Sequence, residues 1–427
     1  MPRLNTSPPT IQNVRCAEPV DADSPDAMAH AVRDARGAGL AVVDYGRFHE
    51  GLGHAPPQGG VTIRPPTAIL EHAAGDMVLR AGGGATLGAI ADALARAGQW
   101  LALDGAPADM SLADAIAHNV SGPLLVGFRN TAAQLLGLTA VTGPGRVIRV
   151  GGRTVKNVAG YDMTRLLVGN LNGLALVAEA ACRTRALPER FTRLVVEPAE
   201  PLATADGLTT LLCGDGAPDA LAWRADGDRP GALTMTWLGR PRAVVARRDA
   251  ARQWIELTFA HADPDVTDDQ GPGLEAVRPP TEPDWRWAAP AAAKLIVPPR
   301  HAGSLIQAAR DAAREATAHR PASDARPGRD AAAPCRALPT EGVAWVGGDW
   351  SLDEARRFDV AIRPRLARMQ GLRVWLRRPN HDPSLTPVDP EPDDWPLVRR
   401  LKRQLDPDAV LNPGRIPPYA PPQGGAT

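Results

Sequence analysis

Apolar residues recur at helical spacing at Met28, Ala31, Val32 and Ala35, behind Ser24 and Pro25 and ahead of Gly37 and Gly39. That order predicts a helix capped by Ser24, with proline at its first position and glycine at its end. Leu40 to Val43 follows as a short buried strand. Ile63 to Arg80 predicts two strands around a turn, and Thr86 caps a second helix whose stripe is Leu87, Ile90, Ala91, Leu94 and Ala95, closed by Gly98. Leu136–Val141 and Arg146–Val150 flank Thr142-Gly143-Pro144-Gly145 as a hairpin. Leu166 to Val168 reads as a short helix, and the alternation from Leu174 to Thr184 reads as a strand.

Past Pro188 the texture changes. Leu194–Val196, Leu208–Cys213, Leu221–Arg224, Ala232–Met235 and Ala243–Val245 are short strand or helix pieces at regular spacing, without glycine signatures. Lys294–Pro299 and Val343–Gly348 read as strands. Ser304–Thr317 and Leu352–Met369 read as helices, with Leu305, Ile306, Ala309 and Ala312 inward on the first. Residues 319–339, rich in Arg, Asp, Ala and Pro, are expected to be an exposed or disordered insertion. Near the end, Val398, Leu401 and Leu405 repeat at helical spacing. A chain of 427 residues in two such textures predicts two domains.

Lys plus Arg and Asp plus Glu both number 48, so no basic field for nucleic acid or anionic lipid is implied. The basic runs at Arg363–Arg368 and Arg399–Arg403 are interleaved with apolar residues and read as solvated helix faces. Cys16, Cys182, Cys213 and Cys335 are widely separated, and the nine His include no ligand spacing, so no metal site or disulfide framework is expected. His49, His54 and His118 read as surface or packing residues. The first residues lack an apolar targeting core, and no uninterrupted apolar run reaches membrane-spanning length. A cytoplasmic protein is the expectation.

The densest chemistry lies between Gly151 and Pro188, where Gly151, Gly152 and Gly160 surround Lys156-Asn157-Val158-Ala159-Gly160-Tyr161-Asp162. That heptad, followed by Leu166, Gly169, Leu171 and Glu179, resembles the FAD-binding subunit of glycolate oxidase, within the flavin oxidoreductases typified by vanillyl-alcohol oxidase and para-cresol methylhydroxylase. Gly98, Gln99, Leu101, Asp104, Asn119, Ser121, Gly122 and Pro123 fit a second stretch of that pattern. Asp406-Pro407 and Asn412-Pro413-Gly414-Arg415 resemble its carboxyl-terminal ending.

The resemblance implies an α+β chain. Residues 1–16 are an arm and 17–190 a two-subdomain FAD-binding domain of the para-cresol methylhydroxylase type. Residues 191–390 are a mixed α/β cap, and 391–427 return to the FAD domain. It implies FAD near Gly46, Arg47, Asp104, Asn119, Ser121, Gly122, Lys156, Gly160, Tyr161, Asp162, Val177 and Asn412. The substrate would be glycolate or a related 2-hydroxy acid. The partners would be a larger flavin subunit and an iron–sulfur subunit in a heteromeric complex. No residue is identified as the catalytic base.

Four places depart from the family pattern. The phosphate-wrapping turn offers only Gly46, Gly51 and Gly53 directly after its strand, with Asp44 and Glu50 beside Arg47. The family's twin glycines are Ala113 and Asp114. An Arg-Asp pair is lost around Phe128-Arg129-Asn130, and Asn170 and Asn172 stand in a glycine-rich turn where asparagine tolerates left-handed backbone. Two functions therefore stand side by side: a flavoprotein subunit, or a structural subunit that keeps the fold and binds FAD weakly or not at all. A nucleotide-binding Rossmann domain is disfavoured, since Gly82-Gly83-Gly84 precedes a helix without a G-x-G-x-x-G signature.

Overall fold

Four helix starts among the described residues form where a hydroxyl side chain can take an orphan backbone N–H, one of them at Ser111 ahead of Leu112–Ala117. Ser24 caps the helix Pro25–Gly37, Thr86 caps Leu87–Ala95, and Ser351 caps Leu352–Arg368 in a reciprocal box with Glu354. They belong to a computed structural model that describes residues 10–11, 14–15, 19–43, 60–152, 163–197, 205–226, 231–259, 265–278, 286, 289–319, 333–379, 382 and 384–414.

The first unit has two layers of its own. Parallel pairs join Val20–Asp21 to Ile63–Arg64 and Ala41–Val42 to Gly60–Val61, against the helix Pro25–Gly37. Beside them lies an antiparallel sheet of five strands in the order Val147–Gly151, Leu135–Thr142, Ala175–Arg183, Val78–Gly82 and Ile69–Ala73. Val141, Leu176 and Ala178 of this sheet share one apolar cluster with Met28 and Val32 of the helix. The opposite face packs on Ile90, Leu94, Leu112 and Ile116. The hairpin across residues 142–145 forms as its turn residues predict.

The second unit is an antiparallel sheet of nine strands. Its order is Asp265–Pro272, Arg190–Glu197, Ala232–Gly239, Ala220–Ala225, Cys335–Leu338, Val343–Gly348, Ala291–Ile296, Leu372–Arg377 and Val388–Asp389. Alternation along each strand sorts the residues. Leu233, Met235 and Trp237 join a core with the helices Pro241–Phe259, Ala302–Thr317 and Leu352–Arg368, while Thr234, Thr236 and Leu238 face the first unit. A smaller cluster of Trp100, Leu124, Phe191, Ala220 and Leu238 seals the two units together.

Of the pieces left open between strand and helix, Leu208–Cys213 lies in a helix, Ala205–Cys213, and Ala243–Val245 is helical as well. Two expectations change. The end of the expected insertion, Cys335–Leu338, is an interior strand between two others, because its small apolar residues alternate into the core. Lys402 is not on a solvated helix face. It is buried, and donates to the carbonyls of Gly173 and Leu411, at 2.5 and 2.7 Å, and to the Asp406 carboxylate.

That contact fixes the carboxyl-terminal segment. Asp406, itself buried, accepts from the amides of Val410 and Leu411 at 2.9 and 2.8 Å. Val42 N–H then donates to Val410 O and Asn412 N–H to Val42 O, each at 2.8 Å, so the returning chain extends the first unit's inner strand. Gly143 permits this approach, since a β-carbon there would lie 1.9 Å from Asp406 Oδ1.

Candidate functional site

A cavity of about 480 Å³ lies between the two units. Its floor comes from Asp104, Gly105 and the turn Gly122-Pro123-Leu124, and its roof is the face of the nine-stranded sheet described above. The glycines keep the floor flat. Gly105 has a φ of +83°, and side chains at Gly105 and Gly122 would strike Ser121 O and the Asp104 carboxylate at 2.2 and 2.5 Å. Apolar wall comes from Val195, Ala220, Ala222 and Leu238.

The charge inside is lopsided. Arg193, Arg224, Arg278, Arg286 and Arg336 line the cavity, and Asp104 is the one carboxylate among its described lining residues. Three of the arginines are already compensated at the rim: Arg193 by Asp269 at 3.3 Å, Arg336 by Asp226 at 2.7 Å, and Arg278 by Asp92 of the first unit. Arg286 lies over the Trp345 ring, 4.9 Å from its centroid, and donates to Gly105 O at 3.3 Å. Lys294 stands over the same ring at 5.7 Å. Burial, and secondarily the Arg286 charge, bring the Lys294 ammonium down to about 8.

Asp104 accepts from Leu124 N–H at 2.9 Å. Burial pushes its carboxyl from 3.8 up to about 6, against the pull of that hydrogen bond and of Arg286. A carboxyl raised in the fold contributes stability that is present at acid pH and lost as pH rises through about 6. Asp104→Asn is therefore expected to flatten the fall in stability between pH 4 and 7 by on the order of 2 kcal/mol. Paired thermal melts across that range check it; parallel pH profiles for the two proteins would contradict it.

The described residues expected at a cofactor do not converge on one place. Asp104 and Gly122 meet at the interface cavity. Asn119, at a φ of +47°, borders a separate cavity, and Ser121 Oγ donates to Asn119 O at 3.2 Å. Val177 is buried in the strand Ala175–Arg183, with its carbonyl against Gly83. Asn412 is buried at a φ of +41°, and its side-chain amide donates to Asn172 O at 3.2 Å. Gly46, Arg47, Lys156, Gly160, Tyr161 and Asp162 lie outside the described residues.

In the neighbouring turn, Asn172 takes left-handed backbone as expected. Leu171 does so too, while Asn170 uses its side chain to bind Leu167 O and the Leu174 amide. Sequence reasoning missed Arg224, Arg286 and Arg336. The local signal for Arg224 is strand alternation, which puts it in register with Ala220 and Ala222 on the cavity face, whereas Arg286 lies outside any strand.

The interface cavity suits the ring end of a flavin. It joins a flat glycine floor and apolar walls with the cations of Arg224 and Arg286, a lining that would accept a planar ring and an anionic group. The turn Gly82–Gly84 does not serve as a diphosphate nest. The amides of Gly83 and Gly84 are donated to Ala178 O and Pro66 O, and Ala113 N–H closes onto Gly83 O. Ala113, in the family's glycine position, fills space beside Gly83 with its methyl. Among the described residues, no three His, Cys, Asp or Glu side chains converge as metal ligands would, and no helix is long and apolar enough to cross a membrane.

Comparison with known proteins agrees with this architecture. Residues 19–151 match the family described as FAD binding domain. The chain is 32% identical over 132 residues to a D-lactate dehydrogenase of Archaeoglobus fulgidus, covering 31% of this chain and 30% of that protein. It is 30% identical over 128 residues to the glycolate oxidase subunit GlcE of Escherichia coli, covering 30% of this chain and 37% of that one. The matches thus span about a third of those relatives. Among solved structures, a glucooligosaccharide oxidase from Acremonium strictum superposes with a TM-score of 0.66 at 15% identity, over 96% of this chain and 93% of that one. A VAO-type flavoprotein from Myceliophthora thermophila gives 0.64 at 14%, over 94% and 80%. These likenesses show the fold.

Proposed function

We propose, from the match of residues 19–151 to the FAD binding domain family, that the chain is a flavoprotein subunit of an oxidoreductase acting on glycolate or a related small 2-hydroxy acid. The observation that carries the reading is the arginine-rich cavity between the FAD domain and the cap. FAD, when bound, supplies the hydride acceptor. Asp104, Gly105 and Gly122 would hold the ring end, and Asn412 and Val177 would support the segments around it.

Arg286 and Arg224 would receive the substrate carboxylate, since a guanidinium pairs with a carboxylate through two parallel N–H donors. Arg224 has no ion pair among the described residues, and Arg286 is steadied by a backbone carbonyl at Gly105. Asp104 would accept the hydroxyl proton once ionised, above about pH 6. Electrons would leave to a partner in a heteromeric complex, made up of a larger flavin subunit and an iron–sulfur subunit. The glycolate oxidase subunits among its relatives favour this arrangement.

The test is anaerobic mixing of the purified, FAD-loaded protein with glycolate, D-lactate and a neutral 1,2-diol, alone and with its partner subunits. Loss of flavin colour with the acids and not the diol is expected. No reduction by any 2-hydroxy acid in either setting contradicts the assignment. A second reading, a structural subunit with weak flavin binding, draws on Ala113 and Asp114, which occupy the twin-glycine positions.

A further inference from the structure

A second cavity, of about 440 Å³, opens at the carboxyl end of the helix Leu125–Phe128. Arg129, Arg165, Arg183 and Arg185 line it, and none of its described lining residues is acidic. The fold brings these four together from three places. Arg183 ends the strand Ala175–Arg183, and Arg185 follows two residues on. Arg165 sits on the helix Met163–Leu167, and Arg129 takes a φ of +69° as it leaves Leu125–Phe128.

Their state differs from that of the arginines in the interface cavity, three of which have a carboxylate partner. Arg129, Arg183 and Arg185 have none among the described residues. Arg185 lies 5.0 Å over the Phe128 ring, and its Nε is buried without a hydrogen-bond partner. Burial, and then the charge of Arg183, lower the Arg185 guanidinium from its ordinary value. Holding like charges around one hollow is unfavourable unless an anion compensates them.

We propose that this cavity is a binding site for a small multiply charged phosphate ligand, of the diphosphate or triphosphate class, separate from the flavin and from the substrate. A single carboxylate would satisfy one fork of the three without a carboxylate partner among the described residues, Arg129, Arg183 and Arg185. Two or more phosphates present enough acceptor oxygens for several planar guanidinium groups. The 440 Å³ volume also leaves room for an organic group against Phe128.

The experiment is calorimetric titration of inorganic pyrophosphate into the full-length protein saturated with FAD, beside Arg129→Gln and Arg183→Gln. One saturable event is expected, weakened about tenfold by each substitution, as the loss of one charged hydrogen bond implies, and weakened further by added salt. Thermal melts of the variants identify any folding defect, and Arg129, being exposed, provides the variant least coupled to packing. Absence of saturable binding overturns the proposal. So does binding to both variants as tight as to the native protein, which would place pyrophosphate elsewhere.

Discussion

Replacing Lys402 with Ala is expected to cost about 3–5 kcal/mol of stability, the usual result of stripping one partner from a buried ion pair. All three ammonium protons of Lys402 are used, on Gly173 O, Leu411 O and the Asp406 carboxylate. Burial draws the Lys402 ammonium below its ordinary value, while Asp406 opposes that shift. Without the lysine, a carboxylate is left in the interior with two carbonyls unpaired nearby. The damage should reach beyond the helix Trp395–Leu405, because Asp406 also holds the amides that carry the tail to Val42. Chemical denaturation measures the loss, and limited proteolysis should cut the variant near residue 410 while sparing the native protein. A variant with unchanged stability and an intact tail would show that this pair does not close the first unit.

Arg286→Gln is expected to raise the KM for a 2-hydroxy acid by about ten- to a hundredfold, the equivalent of one lost charged hydrogen bond in a partly desolvated site. Arg286 is held over Trp345 and tied to Gly105 O, so its guanidinium is already oriented when substrate arrives. The same charge acts on Asp104. The variant should therefore also move the acid limb of the pH profile upward, since a carboxyl that loses a neighbouring cation ionises later. Steady-state kinetics from pH 5 to 8 check both effects. A change in kcat alone, with KM and the acid limb unmoved, would remove Arg286 from substrate binding.

Much of the first unit can be read along the chain because its signals are local. Ser24 and Thr86 announce their helices one residue ahead, and the turn at residues 142–145 announces its hairpin. The Asn412 turn is likewise legible as a family ending, and the structure returns it beside Asn172. The cap resists such reading. Arg193, Arg224 and Arg336 come from strands scattered over more than a hundred positions, and only the order of the nine strands brings them to one face, while Arg286 reaches the same cavity from outside the sheet, over Trp345. Lys402 is hidden for another reason. A lysine four residues before an aspartate resembles an ordinary exposed helix pair, and nothing nearby in sequence says that Gly173 and Leu411 will bury it.

The central claim is that this chain holds a flavin between its two units, and the flavin content of the purified protein tests it most directly. Acid release followed by quantification should yield one FAD per chain, with the yellow of oxidised flavin in the native protein and its retention in Arg129→Gln. A colourless protein that takes up no added FAD, while melting as a folded chain, would contradict the account and leave the structural-subunit reading in its place.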